Sequence, residues 1–215
     1  MELGQSPSPL LYVIGDRGVF RRDDDWLNRL EEVANILLRY KQTALQVRVQ
    51  GSSEHSQFNR MSMAREKLAP AMRLGLRVLL NGTMDQAKKL DFRGVHLKEA
   101  LLDENFERPR DMEIATSTHS LNSIQRSKAI GATFCVFSPI FKPLSKNLAP
   151  VGVESLQNMV QQTEIDIIAL GGITPERVGP CIQAGAKGVA CISSVMRSKN
   201  PRQSIQSLIK AAQKA

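Results

Sequence analysis

Aromatic residues make up only 5% of the 215-residue chain, and there are three cysteines. Scarce aromatics argue against a stacking surface for single-stranded nucleic acid, and neither a zinc-finger nor an RNA-recognition pattern is present. Cys135, Cys181 and Cys191 are an odd number, with no CxxC spacing and no histidine at ligand spacing. They read as reduced, buried thiols of a cytosolic protein, so neither a disulfide nor a structural metal is expected. No run of about 18 apolar residues exists to span a bilayer, and "MELGQSPSPL" lacks the basic and apolar regions of a secretory signal. The expectation is a cytoplasmic protein without a membrane partner, in which residues 1–9 form a mobile lead. No GxGxxG follows the first apolar run, which weakens a dinucleotide reading.

What is present begins with charge. Lys and Arg total 29 against 21 Asp and Glu, a net +8. The basic residues are scattered rather than blocked, so nucleic acid is not the expected partner. A basic surface around a small anion site fits better, with a merely solvated surface as the alternative.

Eight short apolar runs bounded by turn signals read as strands: "LLYVIG" (10–15), "ALQVRV" (44–49), "LRVLLN" (76–81), "GVHL" (94–97), "EIATST" (113–118), "FCVFSP" (134–139), "DIIAL" (166–170) and "GVACIS" (188–193). Helix-like stretches alternate with them, and one, over 53–75, is expected to kink or break at Pro70. Nearly continuous apolar strands alternating with helices describe parallel βα units covered on both faces. A closed barrel and an open doubly wound sheet both satisfy this. Eight repeats in about 200 residues favour the barrel. The fold expected is therefore a single α/β domain over residues 10–215, a (βα)8 TIM barrel.

In such a barrel the site lies at the C-terminal ends of the strands. That rule turns the strand list into a site list: Asp16 and Arg17, Arg48 and Gln50, Asn81, Lys98 and Glu99, Ser117 to His119, Ser138 with the loop to Lys146, Gly171 and Gly172, Ser193 and Ser194. The stretch "IIALGGITPERV" runs an apolar strand into two glycines and then starts a helix, with Thr174 as N-cap and Pro175 in the first turn. Without Cβ atoms, Gly171 and Gly172 open their backbone N–H groups to an anion. The loops after strands seven and eight, ending in Gly171–Gly172 and Ile192–Ser193, are where barrels commonly hold a phosphate. His119 sits at a strand end, and imidazole titrates near neutral pH. Arg48 could grip a carboxylate or pair with an acidic neighbour such as Asp16. His55 and His96 read as solvated or packed side chains.

With these residues in view the chain resembles the thiamine phosphate synthase and thiazole tautomerase (TenI) superfamily over residues 11–196. The most specific part is "STHSLNSIQRSKAIGATFCVFSPIFKPLSK…APVGVESL…IIALGGITPERVGPCIQAGAKGVACIS". The resemblance implies a βα barrel acting in thiamine biosynthesis. Synthases join a pyrimidine diphosphate to a thiazole phosphate with magnesium, held by carboxylates after an "ND" pair and at the end of a "GVHLGQED"-like stretch. Here Gly82 and Leu101 stand at those positions, with Asp85 and Glu99 nearby. The family's "QxRxK" reads "QVRVQ", so Gln50 replaces a lysine, and "TPTK" reads "PLSK".

These departures make the chain more similar to the tautomerases, which isomerise one thiazole carboxylate phosphate by proton transfer and need no metal. The resemblance then implies a catalytic His119, a substrate site of Gln46, Arg48, Asn81, Ser117, Ser145 and Lys146, and a phosphate site of Gly171, Gly172, Ile192 and Ser193. No cofactor is expected; magnesium enters only if the chain is a synthase. The partner is a small-molecule thiazole phosphate, and a homodimer is one assembly open to the chain. A non-catalytic or regulatory barrel that binds a phosphate ligand is the remaining alternative.

Overall fold

The computed structural model describes residues 7–51, 53–102, 111–142 and 149–215. Eight parallel strands close in sequence order into one barrel: β1 (Leu11–Asp16), β2 (Thr43–Arg48), β3 (Arg77–Asn81), β4 (Gly94–Leu97), β5 (Glu113–Thr118), β6 (Phe134–Phe137), β7 (Asp166–Leu170) and β8 (Gly188–Cys191). The closing pair is β1 with β8, where Leu11 stands opposite Val189. Around them lie α1 (Asp23–Leu37), α2 (Glu54–Arg73), α3 (Met84–Lys89), α4 (Leu121–Ala129), α5 (Gly152–Gln161), α6 (Pro175–Gln183), a one-turn α7 (Ser193–Met196) and α8 (Pro201–Lys214). The open-sheet alternative is thereby set aside.

Two apolar layers follow from the period of two along each strand. Leu11 and Val13 face outward into the packing between strands and helices. Tyr12 and Ile14 face inward with Ala44, Leu79, Ala115, Phe134, Ile168 and Ala190, filling the barrel. The same parity carries Gln46, Asn81, His96 and Ser117 to the inside, above that apolar floor.

Three local expectations need correction. Helix α2 runs on through Pro70 to Arg73 without a break, and the Leu74 N–H reaches the Pro70 carbonyl. Pro70 has no N–H to offer the Glu66 carbonyl, yet its own carbonyl still closes the turn that follows, so the helix continues to Arg73. Thr174 does hold the N-cap position of α6 and Pro175 opens the helix, yet the Thr174 hydroxyl makes no capping bond. It turns to the Glu176 carboxylate instead and holds that group below the usual range. The short helix α7 was not anticipated. The expected lead falls mostly on residues 1–6, outside the described residues. Pro7, at its end, is held by the Arg77 guanidinium at 2.6 Å, and Pro9 is buried. All three cysteines are free and buried, and among the described residues no helix is long and apolar enough to cross a membrane.

Candidate active site

A cavity of ≈1260 Å³ opens at the C-terminal ends of the strands. Gln46, Arg48, Asn81, Ser117, His119, Gly171, Gly172, Ile192 and Ser193 all line it, so one cavity gathers the catalytic, substrate and phosphate candidates that fall among the described residues. Ser145 and Lys146, and with them most of the 142–147 loop, lie outside the described residues. Arg17 does not join: it pairs with Asp23 and donates to the Phe20 carbonyl at 2.6 Å, securing the turn after β1.

His119 is placed by the cap of α4. Ser120 caps that helix through a capping box with Ser123, whose hydroxyl accepts the His119 and Ser120 N–H groups at 3.2 and 3.1 Å. The imidazole Nδ1 lies 2.8 Å from the Ser138 carbonyl. A carbonyl only accepts, so Nδ1 carries hydrogen, and the lone pair of the neutral ring is on Nε2. An exposed Nε2 in the cavity is an atom that can take a proton and return it.

Arg48 resolves to the ion pair. Its guanidinium meets Asp16 at 2.5 Å and the Gln50 side chain at 2.8 Å, the register setting Asp16 beside Arg48 on neighbouring strands. The positive charge is thus offset by Asp16 before any ligand arrives. Gln46, 1% exposed, donates its amide to the Tyr12 hydroxyl at 3.2 Å. Asn81 reaches the His96 carbonyl at 3.5 Å, and its buried Oδ1 has no partner among the described residues, an acceptor left for a ligand.

The two glycines are required by the backbone as well as by the cavity. Gly171 and Gly172 have φ of +111° and +61°, in the left-handed range where a side chain is strained. A Cβ on Gly172 would lie 2.7 Å from the Lys142 carbonyl, and one on Gly171 2.8 Å from Pro139. The Phe141 N–H donates to the Gly171 carbonyl at 3.0 Å, and Arg177 donates to the Gly172 carbonyl at 2.7 Å while lying over the Phe141 ring. Both carbonyls are therefore held on one side of the turn. Because C=O and N–H point opposite ways across each peptide, the N–H groups of Gly172 and Ile173 point away from these partners.

Sequence reasoning passed over His96 and Tyr12. His96 is packed as expected, but it also lines the cavity, between the Tyr12 hydroxyl at 3.3 Å and the Ser117 hydroxyl at 2.8 Å. Strand parity was the signal: β4 has four residues, and His96 shares the inward side with the neighbouring Asn81 and Ser117. Arg177 and Arg197, which also line the cavity, were missed because they come from α6 and from the turn after α7 rather than from strand ends.

A family model described as thiamine monophosphate synthase (TMP-TENI) matches residues 11–195. The chain belongs to that family. Among curated members, the thiamine-phosphate synthase of Chlorobium luteolum is 34% identical over 151 residues, 67% of this chain and 71% of the relative. That of Bacillus velezensis is 28% identical over 165 residues, 74% of each. The solved thiamine phosphate pyrophosphorylase from Pyrococcus furiosus superposes with a TM-score of 0.71 over 95% of both chains at 21% identity, a likeness of fold.

Within this family the metal question turns on donor atoms. Gly82 and Leu101, where the resemblance leads one to expect carboxylates, offer no side-chain oxygen. Of the acids nearby, Asp85 is exposed on α3 and does not line the cavity, Asp16 is engaged by Arg48, and Glu99 does line it. Among the described residues no three His, Cys, Asp or Glu groups come together around a metal position. Among the described residues lining the cavity, Glu176 accepts from the Thr174 hydroxyl and Glu99 is left as the one uncommitted carboxylate, a poor fit to a magnesium diphosphate, whose ion draws on one or two carboxylates besides the phosphate oxygens.

Proposed function

We propose that this family member is a thiazole tautomerase, an isomerase that moves a proton on a thiazole carboxylate phosphate without a metal or other cofactor. The observation that carries the reading is His119, held as the Nδ1–H form by the Ser138 carbonyl, over the same cavity as the Gly171–Gly172 and Ile192–Ser193 turns. In this reading the phosphate sits on the N–H groups of Gly172, Ile192 and Ser193, where small residues allow close approach. Arg48, with Asp16 tempering its charge, or Lys146 holds the substrate carboxylate. The ring then lies across the mouth. The Nε2 lone pair of His119 takes the ring-carbon proton, and the imidazolium so formed gives a proton from Nε2 to the exocyclic carbon, with no net gain or loss of protons.

A second reading, thiamine phosphate synthesis, is supported by the names of the relatives and by the unpartnered Asn81 Oδ1, which suits an amino group on a heterocycle. The two are separated by supplying the purified protein with the thiazole carboxylate phosphate alone, and separately with a pyrimidine diphosphate, a thiazole phosphate and magnesium. The tautomerase reading expects turnover in the first mixture and little in the second.

A further inference from the structure

Beneath the cavity runs a polar chain that the proton transfer at His119 does not use. It crosses four strands, from Gln46 on β2 to Tyr12 on β1, His96 on β4 and Ser117 on β5. The Gln46 amide nitrogen lies 3.2 Å from the Tyr12 hydroxyl, that hydroxyl lies 3.3 Å from His96 Nδ1, and His96 Nε2 lies 2.8 Å from Ser117 Oγ. Tyr12 is itself clamped, its ring stacked on His96 and meeting Phe134 edge to face.

Each link constrains the next. The Tyr12 oxygen accepts from Gln46 and keeps one proton to give, and His96 Nδ1 stands against it. A neutral imidazole that accepts at Nδ1 carries its hydrogen on Nε2. Nε2–H then donates to Ser117 Oγ, and the Ser117 hydrogen is left for whatever fills the cavity that Ser117 lines. Burial, with Arg48 as the lesser cause, pushes His96 down to about 3, and burial pushes Tyr12 above its ordinary range. Neither group therefore changes its proton count near neutral pH.

We infer that Gln46, Tyr12 and His96 form a one-way hydrogen-bond relay that holds the Ser117 hydroxyl as a donor toward a lone pair on the ligand. Tyr12 and His96 are positioning residues, acting through Ser117. The relay leaves the Ser117 O–H uncommitted to protein and so favours ligands with an acceptor at that point, an unprotonated ring nitrogen or a carboxylate oxygen. Naming the acceptor as the thiazole ring nitrogen rests on the proposed function; the polarity of the relay does not.

The polarity is read without any ligand, from two-bond ¹H–¹⁵N correlation spectra of protein labelled with [¹⁵N]histidine. His96, identified by its loss in His96→Asn, is expected as the Nε2–H tautomer from pH 6 to 8, and neutral His119 as the opposite, Nδ1–H form. In Tyr12→Phe, His96 is expected to gain Nδ1–H population. A parent His96 found as Nδ1–H overturns the relay.

Titration with a thiazole phosphate then tests the output. Ser117→Ala weakens binding about 3- to 10-fold, the range of one neutral hydrogen bond. Tyr12→Phe does similarly in the parent and nothing further in the Ser117→Ala background. Additive losses would mean that Tyr12 only shapes the fold, and would overturn the inference. A parent that binds no thiazole phosphate defeats the proposed function, while the tautomer spectra still decide the relay. If Tyr12→Phe does not fold, the parent spectrum decides alone.

Discussion

His119 and His96 both line the cavity, and their surroundings give them opposite work. His119 is exposed, with one nitrogen tied to Ser138 and the other open. For the proposed isomerase, His119→Asn slows turnover about 10²- to 10⁴-fold and leaves substrate binding largely intact, as steady-state rates and a direct titration would show. His96 is buried and stays neutral, and this leaves a mark on stability. Unfolded, it takes up a proton near 6.5; folded, only near 3. Between these values the unfolded chain holds more protons, so acidification favours unfolding. His96 therefore adds up to about 1.4 kcal/mol of lost stability per pH unit below pH 6.5. Urea unfolding at intervals from pH 7 to 4 measures the slope, and His96→Gln is expected to flatten it.

At the scale of elements, the strands were legible because a two-face-buried parallel strand is a nearly continuous apolar run. β4, β5 and β7 have the same bounds in the structure as in the sequence pattern. Their C-terminal ends then located the site. The polar network inside the barrel was less legible. The Gln46–Tyr12–His96 contacts join residues 34 and 84 positions apart, and only the register of four strands brings them together. The choice for Arg48 between a substrate and Asp16 was likewise undecidable along the chain, since the pair forms across β1 and β2. The β7–α6 turn was read correctly as glycine-dependent, but for only part of the reason. Its glycines accommodate positive φ and the close approach of residues 139–142 as well as a ligand. Gly172→Val is accordingly expected to do two things. It lowers the melting temperature, through φ strain and contact with the Lys142 carbonyl. It also weakens thiazole phosphate binding more than tenfold, beyond the worth of a single neutral hydrogen bond, because the N–H cradle is lost. Thermal melting and calorimetric titration read the two effects separately. Unchanged affinity would remove the phosphate from this corner.

At the scale of the whole molecule, the barrel is shared with relatives named as synthases, and fold does not settle reaction. The departures from the synthase pattern fall on one side of the site. Gly82, Leu101 and Gln50 stand where the resemblance leads one to expect two carboxylates and a lysine for metal and diphosphate, while the turns after β7 and β8 keep small residues. Such electrostatic contacts are commonly worth two orders of magnitude or more in rate. Magnesium-dependent synthesis of thiamine phosphate is therefore expected to be slow, and efficient synthesis would mean that Glu99 or Asp85 has taken over the ion. The most direct test follows the thiazole carboxylate phosphate by ¹H NMR in D₂O with a chelator present. Isomerisation with deuterium appearing at the exocyclic carbon, at a rate cut at least a hundredfold by His119→Asn, is the predicted result. No isomerisation above background in the parent protein, or an unchanged rate in the variant, would contradict it.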